Sequence, residues 1–253
     1  LISKEELEKA RQRMGDLLYR QEFLCEDLAD DDLVIVPQKL VLSLETRTKV
    51  QKYLKRVIAI DPALTGDECI AYYMENSEVK RELSIVTKDT TVIAANALVF
   101  SKQCNCNNIV IDSIGIGKGP SDQLRAAGLY VIDFIASEKA EENARYLNKK
   151  AEAWFNVRHQ MERMRIPPII DVELKKQLSA VRFEYSGTNQ RIKCEPKTIT
   201  RQRLGRSPDR ADAFVMGVFA YNLLPDDNRY KAMSNLDRDR LNKNQGQGSW
   251  ASY

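Results

Sequence analysis

Residues 56–63 read RVIAIDPA, and the organisation of the chain follows from them. Val57, Ile58 and Ile60 form a run too short for a helix and rich in β-branched side chains, the composition of a buried strand. Asp61 ends that run, and Pro62 stops it, because proline has no amide to give to a sheet. Downstream, DECIAYYME (67–75) and KRELSIVTK (80–88) have strand composition with an Asn-Ser turn between them. They predict an antiparallel meander of three consecutive strands. A helix is expected over about 90–101, followed by NIVIDSIG (108–115), a second short apolar run that also ends in an aspartate, Asp112. Residues 119–127 read as helical, LYVIDFIA (129–136) as another strand, and 140–164 as one long helix. Strands at 181–185 and 190–194 around SGTN predict a hairpin. SPDRADAFVMGVFAYNLL (207–224) reads as an N-capped helix that closes the core.

The flanks differ from this core. Residues 4–22 carry apolar side chains at helical spacing, with Ser3 placed as an N-cap, and LVIVPQKLVLSL (33–44) reads as a short strand or connector. The expected layout is a lead-in segment over 1–54, a core over 55–225, and a polar, flexible tail over 226–253. The first residue is Leu1 and no leader pattern follows, so the chain reads as a fragment of something longer.

Composition narrows the classes. With 43% hydrophobic and 30% charged residues, no apolar run approaches the roughly 20 residues that span a bilayer, so no membrane partner is expected. Five cysteines and no export signal predict reduced thiols in a cytosolic setting. Cys104 and Cys106 form a C-x-C, but the one histidine, His159, is far away in sequence, which argues against zinc. In the predicted 140–164 helix, His159 reads as a surface or partly packed histidine and Trp154 as a core or helix-docking residue.

The chemistry concentrates in Asp61, Asp112, Asp209 and Asp212. Parallel neighbouring strands bring their carboxyl ends together, and a helix start docked there adds its own acids. Clustered carboxylates repel one another unless a cation neutralises them, and an all-oxygen ligand set favours Mg2+ or Mn2+. Two such ions can clamp a scissile phosphate. Taken singly, each aspartate has a plain role as a strand end or a helix-dipole partner; the combination points to a metal site. The glycines of GIGKG (115–119) do not form an ATP-binding loop, since no Ser or Thr follows Lys118. They fit a close approach of that loop to the site. Between 175 and 210, Lys175, Lys176, Arg182, Arg191, Lys193, Lys197, Arg201, Arg203, Arg206 and Arg210 outnumber Glu184, Glu195 and Asp209. That surplus predicts a local positive field suited to a nucleic-acid backbone.

In order, VIAIDPALTGDE (57–68), NIVIDSIGIGKGPSDQL (108–124) and EPKTITRQRLGRSPDRADAFVMG (195–217) resemble the nuclease motifs of phage terminase large subunits. The resemblance covers about residues 10–225, including LLYRQEFLCED (17–27), which is similar to the segment joining the family's ATPase to its nuclease. It implies an α/β, RNase H-like fold: a mixed central sheet flanked by helices, with an additional β-hairpin. It also implies a metal-dependent endonuclease that cuts concatemeric viral DNA with two Mg2+ or Mn2+ ions per site. Carried onto this sequence, Asp61 bridges both ions, Asp112 binds one, and Asp209 and Asp212 complete the site. Asp67 matches a further acidic position. The family sometimes has histidine where this chain has Asp209, which leaves the duty of that residue open.

Lys197 matches a family lysine and is the first choice for a phosphate contact, joined by Lys118, Arg191, Lys193, Arg203 and Arg206. The hairpin is the element expected to lie against DNA. The implied partners are double-stranded viral DNA and, in the full motor, the protein's own ATPase domain, a portal and a small terminase subunit. The implied compartment is the host cytoplasm, and the isolated domain is expected to be monomeric. Two other readings stay open: a Holliday-junction-resolvase-like nuclease, and a non-catalytic DNA-binding scaffold of the same fold.

Overall fold

The computed structural model describes residues 3–14, 19, 23–24, 30–46, 54–63, 68–187 and 189–224. The predicted meander is present as β1 (Arg56–Asp61), β2 (Cys69–Glu75) and β3 (Glu78–Ile85). Asn76 and Ser77 make the β2–β3 turn with positive φ, a conformation that asparagine tolerates better than most residues. β4 (Asn108–Asp112) and β5 (Tyr130–Phe134) add to the other side. The sheet order is β3-β2-β1-β4-β5, antiparallel through the meander and parallel from β1 to β5.

Side-chain alternation splits the core into two layers. Ile58, Ile60, Ile109 and Ile111 face α3 (Thr90–Cys104) and α4 (Lys118–Ala126), together with Ile93, Ala97, Phe100 and Leu124. Val57, Ala59 and Val110 face the larger layer, which contains α5 (Lys149–Glu162), α6 (Val172–Leu178) and α8 (Asp209–Leu223). α8 lies tight on the sheet at Gly217, where a Cβ would meet Met74 Sδ at 2.3 Å and Ala59 Cβ at 3.2 Å. The hairpin consists of β6 (Phe183–Ser186) and β7 (Arg191–Cys194), with Phe183 and Ile192 buried in the larger layer. α7 (Lys197–Leu204) joins it to α8.

The structure departs from expectation at several points. The helix expected over 140–164 begins only at Lys149, capped by Asn148, whose side chain accepts from the Ala151 amide. Ahead of it Glu152 holds the amides of Glu141 and Glu142 in a turn, an alternative to helix that sequence periodicity does not register. At 33–44 there is no strand beyond one bridge from Val34 to Arg182; a short helix α2 (Gln38–Leu42) follows Pro37. Ile35, Val36, Val41 and Leu44 are buried in the larger core layer, so this stretch packs as part of the core. α8 has Pro208 at its cap position and no side-chain cap of its own. α6 and α7 were not anticipated. The lead-in helix α1 (Lys4–Met14) is capped reciprocally by Ser3 and Glu6. Residues 15–18, 20–22 and the tail from 225 lie outside the described residues. Cys69, Cys104, Cys106 and Cys194 are free thiols. Among the described residues no helix is long and apolar enough to cross a membrane.

Candidate metal centre

Because Ile60 pairs with Ile111 across parallel strands, Asp61 and Asp112 leave the sheet side by side. Each is two residues past a side chain of the larger layer (Ala59, Val110), so both carboxylates point toward the face that carries α8. α8 starts there with Asp209 and Asp212 in its first turn, where the helix dipole favours negative charge. Asp61, Asp209 and Asp212 are all buried. Asp67 lies outside the described residues.

The missing cap of α8 comes from another element. Gln177 on α6 is wholly buried, and its carboxamide oxygen accepts from the amides of Arg210 (3.0 Å) and Ala211 (3.2 Å). This fixes the turn that presents Asp209 and Asp212. Gly117 plays the corresponding part for Asp112. A Cβ there would stand 1.7 Å from the Asp112 carbonyl oxygen and 2.9 Å from Pro62 Cγ, so only glycine fits. The Asp112 carboxylate in turn accepts from the Ile114 amide at 3.0 Å.

Two lysines enter the cluster. Lys197 Nζ lies 3.0 Å from Asp209, 3.3 Å from Asp212 and 3.5 Å from Asp61. Lys150, which sequence reasoning missed, lies 3.0 Å from Asp212 Oδ1. Trp154 donates its indole N–H to the same oxygen at 3.2 Å. No sequence signal marked Lys150: the helix is expected from 140, and only the structure places this lysine in the first turn, beside Asp212.

Burial pushes the Asp61 carboxyl up to about 7; Lys197 works against that shift, while Asp212 and Asp209 add to it. Burial likewise raises Asp112. At Asp212 burial is outweighed by Lys150 and Lys197, which hold it below the usual carboxylate range. At Lys197 burial is outweighed by Asp61, Asp212 and Asp209, and its ammonium is held above the usual lysine range.

Oδ2 of Asp61 is buried and accepts no hydrogen bond among the described residues. That oxygen lies 3.5 Å from the Lys197 ammonium, a position that suits a cation. As the side chains stand, no three His, Cys, Asp or Glu residues among those described converge as a ready metal cage. The Lys197 ammonium lies among the carboxylates instead. The donor set is all oxygen, which fits Mg2+ or Mn2+.

The other basic candidates are more engaged than a linear count suggests. Arg206 pairs with Glu68 at 2.8 Å, Lys193 with Glu184 at 2.8 Å, and Lys118 with Asp122 at 2.9 Å. Arg203 holds Glu195 and the Ala180 carbonyl, and Arg210 ties Glu82 and Asp171 together. Several of these acids come from outside 175–210, so folding offsets much of the local positive surplus. Arg191 makes no ion pair among the described residues. Trp154 is core, and His159 is half-buried against Phe155, away from the carboxylates.

The strand order and flanking helices are those of the RNase H-like fold, and the chain has that fold. Its structural neighbours are nuclease domains of phage large terminases. The nuclease domain of large terminase subunit gp2 of bacterial virus Sf6 superposes with a TM-score of 0.63 at 18% identity, covering 73% of this chain and 98% of that one. The large terminase nuclease of thermophilic phage G20c gives 0.53 at 13% identity, over 74% of this chain and 98% of the other. The Thermus phage P74-26 large terminase nuclease domain gives 0.50 at 13%, over 73% and 94%. A point mutant of the Sf6 domain has been solved with manganese and β-thujaplicinol, and with calcium; the G20c nuclease has been solved with cobalt and with magnesium. At these identities the likeness is one of fold. No protein-family model and no curated protein matches the chain.

Proposed function

We propose that this chain is the nuclease domain of a phage DNA-packaging terminase large subunit, an endonuclease that cuts concatemeric viral DNA with two divalent metal ions. The observation that carries this reading is that one ammonium, Lys197 Nζ, lies within 3.5 Å of Asp61, Asp209 and Asp212, while Asp112 leaves the parallel strand beside Asp61. The fold shared with metal-bound terminase nucleases supports it.

Asp61, through the buried oxygen that now faces the Lys197 ammonium, would be the shared ligand, with Asp112 on one side and Asp209 and Asp212 on the other. Mg2+ or Mn2+ bound there supplies an activated water and charge stabilisation for the leaving oxygen. Gln177 and Gly117 hold the two ligand-bearing turns in register. Lys197 is 43% exposed, so its ammonium can meet a phosphate oxygen arriving from solvent. Arg191 and Lys193 on the hairpin, with Lys118, Arg203 and Arg206, would add backbone contacts that position DNA without reading sequence.

In this reading residues 1–54 lead in from an ATPase domain and 226–253 form a tail. The partners are viral DNA, the ATPase, a portal and a small terminase subunit, in the host cytoplasm. The isolated domain is monomeric and prefers Mn2+, whose looser geometry suits an unsupported carboxylate site. Incubation of supercoiled plasmid with the purified chain in Mn2+, Mg2+ or EDTA tests the reading. Nicking in the metals and none in EDTA is expected. Equal activity in EDTA defeats it, and DNA binding without cleavage favours a scaffold.

A further inference from the structure

Asp212 is the most heavily bonded carboxylate of the cluster. Oδ1 receives Lys150 at 3.0 Å and Trp154 Nε1 at 3.2 Å; Oδ2 receives Lys150 at 3.2 Å and Lys197 at 3.3 Å. Lys150 and Trp154 are four residues apart on α5, on one helical face. That face does not otherwise belong to the carboxylate site, which is built from β1, β4 and α8. Lys150 keeps only a quarter of its side chain exposed, and Trp154 is fully buried. A buried indole N–H needs an acceptor, and here the acceptor is a carboxylate of the site. An ammonium in the first turn of a helix is placed against the dipole, so its position is set by Asp212.

We propose that Lys150 and Trp154 are positioning residues for the metal centre: they hold the Asp212 carboxylate in one orientation, and Lys150 supplies a resident counter-charge that keeps the cluster assembled before metal arrives. This rests on the metal-dependent nuclease reading above. The two groups divide the work. Trp154 is neutral and fixes direction; Lys150 contributes charge as well, which a neutral isostere removes and arginine restores. Without Lys150 the cluster keeps its aspartates but loses a cation, so a divalent ion has more to neutralise.

The test uses the full chain with Lys150→Met, Lys150→Arg and Trp154→Phe, by thermal unfolding in EDTA and in Mg2+ and by steady-state plasmid cleavage. Lys150→Met should melt several degrees lower than wild type in EDTA, and Mg2+ should raise its midpoint by more than it raises that of wild type. Lys150→Arg should recover most of the EDTA midpoint. Trp154→Phe should lose roughly tenfold in kcat, the lower end for loss of a partner behind a metal ligand, with KM for DNA unchanged. A Mg2+ increment for Lys150→Met no larger than that of wild type overturns the proposal. So does a Lys150→Arg midpoint no higher than that of Lys150→Met, and so does an unchanged kcat in Trp154→Phe. If Lys150→Met does not fold, the kcat of Trp154→Phe decides. A wild type that ignores both Mg2+ and Mn2+ in both assays removes the nuclease reading, while the EDTA midpoints still judge the lysine.

Discussion

Nζ of Lys197 stands 3.0 Å from Oδ1 of Asp209, and the same ammonium reaches Asp61 and Asp212. One lysine thus holds the place among the carboxylates that a metal would compete for. Lys197→Ala is expected to bind Mn2+ about tenfold more tightly, a Coulomb gain discounted for a partly exposed charge, and to cut DNA more slowly for want of a phosphate contact. Titration calorimetry reads the affinity; unchanged or weaker binding would mean that the ammonium and the metal do not compete.

Gln177 caps a helix to which it does not belong. Gln177→Leu removes the acceptor for two buried amides and is expected to cost about 1–3 kcal/mol, measured by urea unfolding. Because the loosened turn carries Asp209 and Asp212, metal affinity should fall as well. A variant as stable as wild type would show that these amides find another partner.

Gly117 has an ordinary negative φ, so space and not backbone conformation requires glycine there. Gly117→Ala forces a methyl into the Asp112 carbonyl, and the overpacking is expected to cost about 1–3 kcal/mol. Gly115, with φ of +59° and open space around a Cβ, is constrained in the opposite way. Differential scanning calorimetry on Gly117→Ala checks this; a melting temperature within error of wild type would contradict the packing.

Glu195 gives a pH dependence whose sign can be stated. Burial raises its carboxyl, but hydrogen bonds from Arg203, Thr200 and the Arg182 amide outweigh that and hold it below 4.5. A group depressed by folding contributes stability that is fully present above the unfolded value and lost as pH falls through the folded one. Glu195→Gln should therefore be less stable than wild type at pH 7 by about 1–3 kcal/mol, and the gap should close below about pH 4.5. A gap that stays constant down to pH 3 would exclude this ionisation as its source.

The five strands and the pair Asp61 and Asp112 could be read in the sequence because β-branched runs broken by Asp-Pro or Asp-Ser-Ile-Gly are local signals. So could the acids opening α8. The rest depends on contacts distant in sequence. The sequence suggests a local cap for α8, but Pro208 supplies none and the cap is Gln177, 33 positions from Arg210. Lys150 gains its meaning only from Asp212, 62 positions on. The basic surplus of 175–210 looked free because Glu68, Glu82 and Asp171, which meet Arg206 and Arg210, lie elsewhere in the chain. The turn at 141–148 carried helix-forming residues and was set by Glu152 instead.

Cleavage of supercoiled plasmid in Mn2+ by wild type beside Asp61→Ala and Asp112→Ala tests the central claim most directly. The account predicts nicking by wild type that is lost in both variants while DNA binding is retained. Nicking that persists in Asp61→Ala would contradict it, because the cutting would then not depend on the carboxylate to which the site is built.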